Sequence, residues 1–165
     1  MGEGPHVIAE VDGDSIVVRK CLEERTCRLM EEHGSLSGNI IDPLEAAYQA
    51  VKGKVAIDGE TGWRAALRVA KDILGDLDLF LVYYDLRRRG RRVRRGVRRR
   101  TLIVAYTPSR RVEILVLSEG RRVRLSEIFE WSRLAAADGH EPVIAVVDSY
   151  GRATYYEARA AREIA

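Results

Sequence analysis

Apolar and polar positions alternate at the start of the chain, in HVIAEV (residues 6–11) and again in SIVVR (15–19), on either side of Asp12-Gly13-Asp14. A period of two marks a half-buried strand, and a glycine in a short polar break marks a tight turn, so the chain is expected to open with a β-hairpin. From residue 20 to 33 the apolar Leu22, Leu29 and Met30 sit among charged neighbours and the run stops at Gly34, the pattern of an amphipathic helix with a glycine cap. Asp42-Pro43-Leu44-Glu45 then supplies an acceptor at the N-cap, a proline in the first turn and a glutamate three residues in, which predicts a helix from Pro43 to about Val51. Lys54 to Ile57 reads as a short strand ending at Asp58-Gly59. Trp63, Leu67, Ala70 and Leu74 follow at helical spacing up to Gly75.

The pattern starts afresh at Leu77. Leu77, Phe80, Leu81, Tyr84 and Leu86 predict a helix to Arg89, ended by Gly90, after which Val93 and Val97 stand in extended chain. TLIVAY and VEILVL flank a Thr107-Pro108-Ser109-Arg110 turn, Ser126 is expected to cap a helix carrying Ile128, Phe129, Trp131, Leu134 and Ala135, and PVIAVVD and RATYYEA form a last pair of strands around Ser149-Tyr150-Gly151. The implied fold class is α/β, of the α+β kind. A small N-terminal α/β domain over residues 1–75 precedes a C-terminal domain over 76–165, whose helix, three strands, helix and two strands make a mixed sheet flanked by helices. No internal repeat or long linker interrupts this order.

Composition narrows the class. No run approaches the roughly 18 apolar residues that span a bilayer, and MGEGPHVIAEVDGD has neither the basic start nor the apolar stretch of a signal peptide, so a soluble, cytoplasmic protein with no membrane partner is expected. Cys21 and Cys27 are six apart on what reads as one helix, which fits neither a disulfide nor a zinc motif; both are expected to be packing or surface residues. The net charge of +3 hides an asymmetry, because residues 1–86 hold 9 basic and 16 acidic side chains and residues 87–165 hold 19 and 9. All four lysines lie in the acidic half. An arginine-only basic half suits phosphate recognition or buried ion pairs, since the guanidinium is a planar fork that stays charged. The densest stretch, Arg87 to Arg100, has 10 arginines in 14 residues, with glycine and valine between them; it reads as a helix turning into a strand and as a surface that tracks phosphates.

Three segments carry a resemblance. Val82-Tyr83-Tyr84-Asp85-Leu86-Arg87-Arg88-Arg89-Gly90 with Val93-Arg94-Arg95-Gly96 resembles the VYxDLRxRGxxVKxG stretch of archaeal tRNA-splicing endonucleases. Upstream, Gly34-Ser35-Leu36, Leu44-Glu45-Ala46-Ala47-Tyr48 and Gly53-Lys54-Val55 are similar to the family's N-terminal LxLEEALYLxxxGKLxV segment. Downstream, Ser132-Arg133-Leu134-Ala135, Ala145-Val146-Val147-Asp148 and Gly151 to Glu157 are similar to its ending. The resemblance implies a nuclease-like C-terminal domain and excision of introns from precursor tRNA at bulge-helix-bulge sites, leaving a 2′,3′-cyclic phosphate and a 5′-hydroxyl with neither metal nor other cofactor. That reaction needs a base on the 2′-hydroxyl, an acid on the leaving 5′-oxygen and a cation beside the phosphorane. The family supplies tyrosine, histidine and lysine for these roles.

The triad is degenerate in this chain. Counting from Gly96 puts Tyr106 on the catalytic tyrosine, but Arg111 stands nearest the histidine position and His140 takes the lysine position; no lysine follows Lys71. The resemblance therefore implies no catalytic residue of this chain's own, and a structural subunit that joins a homologous catalytic subunit in an α2β2 complex acting on precursor tRNA. RNA-binding candidates are Arg94, Arg95, Arg98, Arg99 and Arg133, the last equally placed to pair with Glu130 three residues earlier. Subunit-interface candidates are Thr154, Tyr155 and Tyr156 on the final strand, with Asp148 before the last turn and the tail Arg159 to Ala165 as an extension. Two alternatives stay open: an active endonuclease built on Tyr106 and His140, and a stand-alone RNA-binding protein on the same fold.

Overall fold

The computed structural model describes residues 3–158 of the 165. The chain divides into two compact units, Met1–Phe80 and Leu81–Ala165, each with a five-stranded sheet, so the α/β reading is met in both.

In the first unit the opening hairpin is β1 (Val7–Asp12) and β2 (Ser15–Cys21), antiparallel around Gly13, whose φ of 61° suits a residue without a Cβ. Helix α1 (Glu24–Glu32) leads to the short strands β3 (Leu36–Ser37) and β4 (Ile40–Ile41), helix α2 (Pro43–Val51), strand β5 (Val55–Ile57) and helix α3 (Gly62–Arg68), which widens into a π-helical turn over Val69–Leu74. The strand order is β3-β4-β2-β1-β5, with β5 parallel to β1 and the other pairs antiparallel. Asp42 caps α2 as its position predicts, its Oδ1 accepting from Leu44 N at 2.8 Å. Glu45 stands three residues after the cap. It is buried, and its carboxylate accepts from the Gln49 amide at 2.8 Å, because α2 from Leu44 to Ala50 is enclosed on all sides.

Three local expectations are overturned in this unit. The first helix starts at Glu24, so Cys21 ends β2 while Cys27 lies on α1; the turn between them brings the Cα atoms to 6.6 Å, and the two sulfurs form a disulfide. Six residues of unbroken helix would separate them by about 9 Å along the axis. Leu22 lies outside the helix and is exposed, leaving Cys27 and Met30 as the buried residues of α1. The inward face of α3 and its π-helical turn is Ala65, Ala66, Val69 and Ala70, while Trp63 lies half in solvent with its ring edge-on to Phe80 at 6.2 Å.

The second unit follows the predicted order. Helix α4 (Leu77–Arg88), whose residues from Leu81 belong to this unit, precedes β6 (Arg92–Arg95), β7 (Thr101–Ala105), β8 (Arg111–Ser118), α5 (Leu125–Ala137), β9 (His140–Val147) and β10 (Ala153–Glu157). The sheet order is β10-β9-β8-β7-β6; only β8 and β9 run parallel, which makes the sheet mixed. Its two faces are distinct. Leu102, Val104, Val112, Ile114, Val116 and Ala145 share one face, the side on which Tyr155 reaches Asp85 of α4. Ile103 and Glu113 share the other, where Trp131 of α5 bonds Glu113. Two expectations fail here as well. Ser126 is not the cap, because α5 starts one residue earlier at Leu125 with no side-chain cap, and Val97 is fully exposed in the loop after β6.

That loop is tightly made. A Cβ on Gly96 would lie 2.1 Å from Thr101 Oγ1, whose hydroxyl donates to Arg98 O, while Gly96 N bonds Thr101 O. Arg100 holds a φ of 58°, costly for a residue with a Cβ, and is fixed by its carbonyl accepting from Val116 N and its guanidinium donating to Ser118 Oγ.

Candidate nucleic-acid interface and candidate active site

Strand register decides which of the candidate residues meet. Arg92 of β6 pairs with Ala105 of β7, Ala105 with Arg111 of β8, and Arg111 with His140 of β9. Register partners across neighbouring strands point to the same face. Arg111 and His140 therefore stand side by side at one end of the sheet, on the α5 face. Tyr106 follows Ala105, so alternation turns it to the α4 face with Leu102 and Val104. There its ring lies under two guanidinium groups, Arg91 at 4.5 Å and Arg110 at 5.1 Å, and Arg110 forks onto Glu141 with its closest contact at 3.2 Å. Tyr106, Arg111 and His140 share an end of the sheet but not a side of it.

His140 belongs to a buried network that the sequence reading missed. Glu113, 1% exposed, accepts from Arg98 Nη1 at 2.8 Å and from Trp131 Nε1 at 2.6 Å, and His140 Nδ1 lies 3.1 Å from its Oε1. Beside a carboxylate that can only accept, Nδ1 is the protonated nitrogen and Nε2 is left as the other face of the ring. Arg98 also donates to Asp138, just beyond α5. Glu113, Asp138 and His140 bring potential metal-ligating atoms within 4.8 Å of one another, yet the positive group already between the two carboxylates is the Arg98 guanidinium. Its pKa is raised, first by the hydrogen bond to Asp138, with Glu113 adding to it. A single glutamate inside the apolar VEILVL strand was the available signal, since a charge on a buried strand must be paired.

The arginine candidates separate by partner. Arg98 is committed to the network just described. Arg133 forms the expected fork on Glu130, at 2.8 and 3.3 Å, which lowers the glutamate's pKa and raises the arginine's. Arg94, Arg95 and Arg99 are exposed, Arg94 on the α5 face, Arg95 on the α4 face and Arg99 in the loop before β7.

The interface candidates are equally diverse. Asp148 Oδ1 accepts from the backbone of Tyr150 and Arg152, each at 2.9 Å, so its carboxylate builds the β9–β10 turn. Tyr155 points to the α4 face, where its hydroxyl donates to Asp85 Oδ2 at 2.8 Å; burial first, then this carboxylate, push its pKa well above the usual phenol range. Thr154 and Tyr156 are exposed on the opposite face. β10 pairs with β9 and, among the described residues, with no other strand. Because Ala158 N donates to Pro142 O, alternation aims the N–H groups of Thr154 and Tyr156 at β9 and those of Ala153, Tyr155 and Glu157 outward. The tail from Arg159 to Ala165 lies outside the described residues.

No helix of the described residues is long and apolar enough to cross a membrane. A comparison with curated proteins gave no match. Comparison with family models gave two. The model for the tRNA intron endonuclease catalytic C-terminal domain matches residues 77–155, and that for the tRNA-intron endonuclease SEN2-like N-terminal domain matches residues 6–73. The two domains follow one another in this order and together take in most of the sequence, and the chain belongs to the tRNA-intron endonuclease family.

Proposed function

We propose that this chain is a structural, non-catalytic subunit of a cytoplasmic tRNA-splicing endonuclease of archaeal type, joining a homologous triad-bearing chain in an α2β2 complex that excises introns from precursor tRNA. The observation that carries this reading is the separation of the degenerate triad. Cleavage by attack of a 2′-hydroxyl needs base, acid and cation around one phosphorus, within hydrogen-bond reach of it. Tyr106 is on the α4 face beneath Arg91 and Arg110, whereas His140 is on the α5 face against Glu113. Arg111 remains beside His140, and a guanidinium, which stays protonated in proteins, stabilises charge but does not give up a proton. A charged, exposed pair of such faces serves binding, and the outward N–H groups of β10 offer an edge to a partner strand.

Purified chain incubated with a bulge-helix-bulge RNA is expected to leave it intact, while the complete assembly cuts it. Specific cutting by the chain alone would refute the non-catalytic role. One observation favours the second reading, an active enzyme with a rearranged triad: the Glu113–His140 hydrogen bond orients the ring as a carboxylate orients a general base. Cutting by the chain alone that His140→Ala abolishes would establish that reading.

A further inference from the structure

We propose that Arg92, Arg94 and Arg111 form a phosphodiester-binding shelf on the α5 face of the second sheet, holding the RNA backbone without acting on it. Ala105 stands between Arg92 and Arg111 in the register row, and both strand neighbours point to the same side. With strands about 4.8 Å apart, the two arginine Cα atoms are about 9.6 Å apart across an exposed alanine. Side chains as long as arginine, starting from those positions on one face, are long enough to take a single anion between their forks over the small residue. Arg94, two residues along β6 on the same face, extends the row.

The charge pattern supports the assignment. Arg88, Arg89, Arg98, Arg110 and Arg133 each face a carboxylate. Arg92, Arg94 and Arg111 have no carboxylate within ion-pair distance among the described residues. The nearest buried carboxylate on their face, Glu113, is already filled by Arg98, Trp131 and His140. No two of the three are direct cross-strand partners, Arg92 and Arg111 both pairing with Ala105 and Arg94 with Ile103, but all three put positive charge on one sheet face, where like charges repel. Three unpaired guanidiniums there are explained by a ligand that brings its own negative charge. Arginine forks match the paired non-bridging oxygens of a phosphate, and a repeating anion suits a row better than a single carboxylate does.

This inference rests on the chain handling precursor tRNA, and its test separates the two. The salt dependence of binding of the full chain to a bulge-helix-bulge RNA is measured for wild type, for Arg92→Gln/Arg94→Gln/Arg111→Gln, and for Arg121→Gln/Arg122→Gln/Arg124→Gln, which removes the same charge from the loop before α5. Each lost phosphate contact lowers the slope of log K against log salt by about 0.7–0.9, so the shelf variant is expected to lose about 2 to 3 in slope and the loop variant less than about 1. Equal losses in both variants overturn the shelf in favour of diffuse attraction. Absence of salt-dependent RNA binding by wild type overturns it too, while leaving the subunit role, read by assembly with a catalytic chain, intact. Conversely, a specific shelf in a chain that never assembles with such a partner sinks the subunit role alone.

Discussion

Replacing Glu113 by glutamine removes the charge at the centre of the second unit while keeping the side chain's size. In the native network one oxygen faces Arg98 and His140 and the other faces Trp131, at 2.6 to 3.1 Å. A glutamine has one accepting oxygen and one donating amide, so whichever way it turns, a donor meets donors. Breaking a buried pair from one side costs about 3–5 kcal/mol. Arg98 keeps Asp138 as a partner and its side chain is 25% exposed, which places the expected loss near the lower end, about 3 kcal/mol. For a domain of this size each kcal/mol moves the midpoint by about 4–8 °C, so the second unit should melt roughly 12–24 °C lower. Thermal and urea unfolding followed by tryptophan fluorescence would read this directly, Trp131 being part of the network. Arg98→Met combined with Glu113→Met should cost less than the sum of the two single changes, because no charge is then left buried alone. Glu113→Gln within about 1 kcal/mol of wild type would refute the network as a structural element.

Tyr155 should make stability fall in alkali. Its folded pKa is raised above the ordinary value of 10.0, so the folded state keeps a proton that the unfolded state releases, and the contribution is present below pH 10 and lost as pH rises above it. Tyr155→Phe should flatten that decline in unfolding curves collected from pH 8 to 11. Ala153→Pro and Glu157→Pro delete outward N–H groups of β10 and are expected to weaken assembly with a partner by about 1–2 kcal/mol, roughly 5- to 30-fold, while the chain stays folded; Thr154→Pro removes a bond to β9 and should instead lower the chain's own stability. Reduction of the Cys21–Cys27 disulfide, which closes a short loop, should destabilise the first unit by about 2 kcal/mol, and a melting point unmoved by reductant would argue that the link adds nothing.

The element order was largely legible because the signals were local. Asp42-Pro43 fixed the start of α2, the two turns around Thr107–Arg110 and Ser149–Gly151 separated the strands, and period-two patterning identified β7, β8 and β9. Two of the failures turned on a boundary, four residues at the start of α1 and one at the start of α5, and the others on which side chains face inward, as with Trp63 and Val97. Starting α1 at Glu24 converted Cys21 from a helical residue into the end of a strand, and with it two unrelated thiols into a pair. The site was less legible than the fold. Counting from Gly96 singled out Tyr106 and Arg111, and the segment before Ala145–Asp148 singled out His140, but the face each occupies depends on strand register and on the length of the 107–110 turn. Arg92 looked like one arginine of ten until pairing with Ala105 aligned it with Arg111. Glu113 was visible as a charge in an apolar strand, yet its three partners come from a loop, a helix and the next strand.

The most direct measurement is reconstitution. The chain is mixed with a homologous endonuclease chain carrying a complete tyrosine, histidine and lysine triad, the mass of the product is read by native mass spectrometry, and cleavage of a bulge-helix-bulge RNA is followed for each chain alone and for the mixture. A complex of two copies of each chain is expected, with cutting that requires the partner's triad and is unchanged by Tyr106→Phe or His140→Ala in this chain. A homodimer of this chain that cuts the RNA unaided, or a mixture in which the two chains never associate, would contradict the structural-subunit reading.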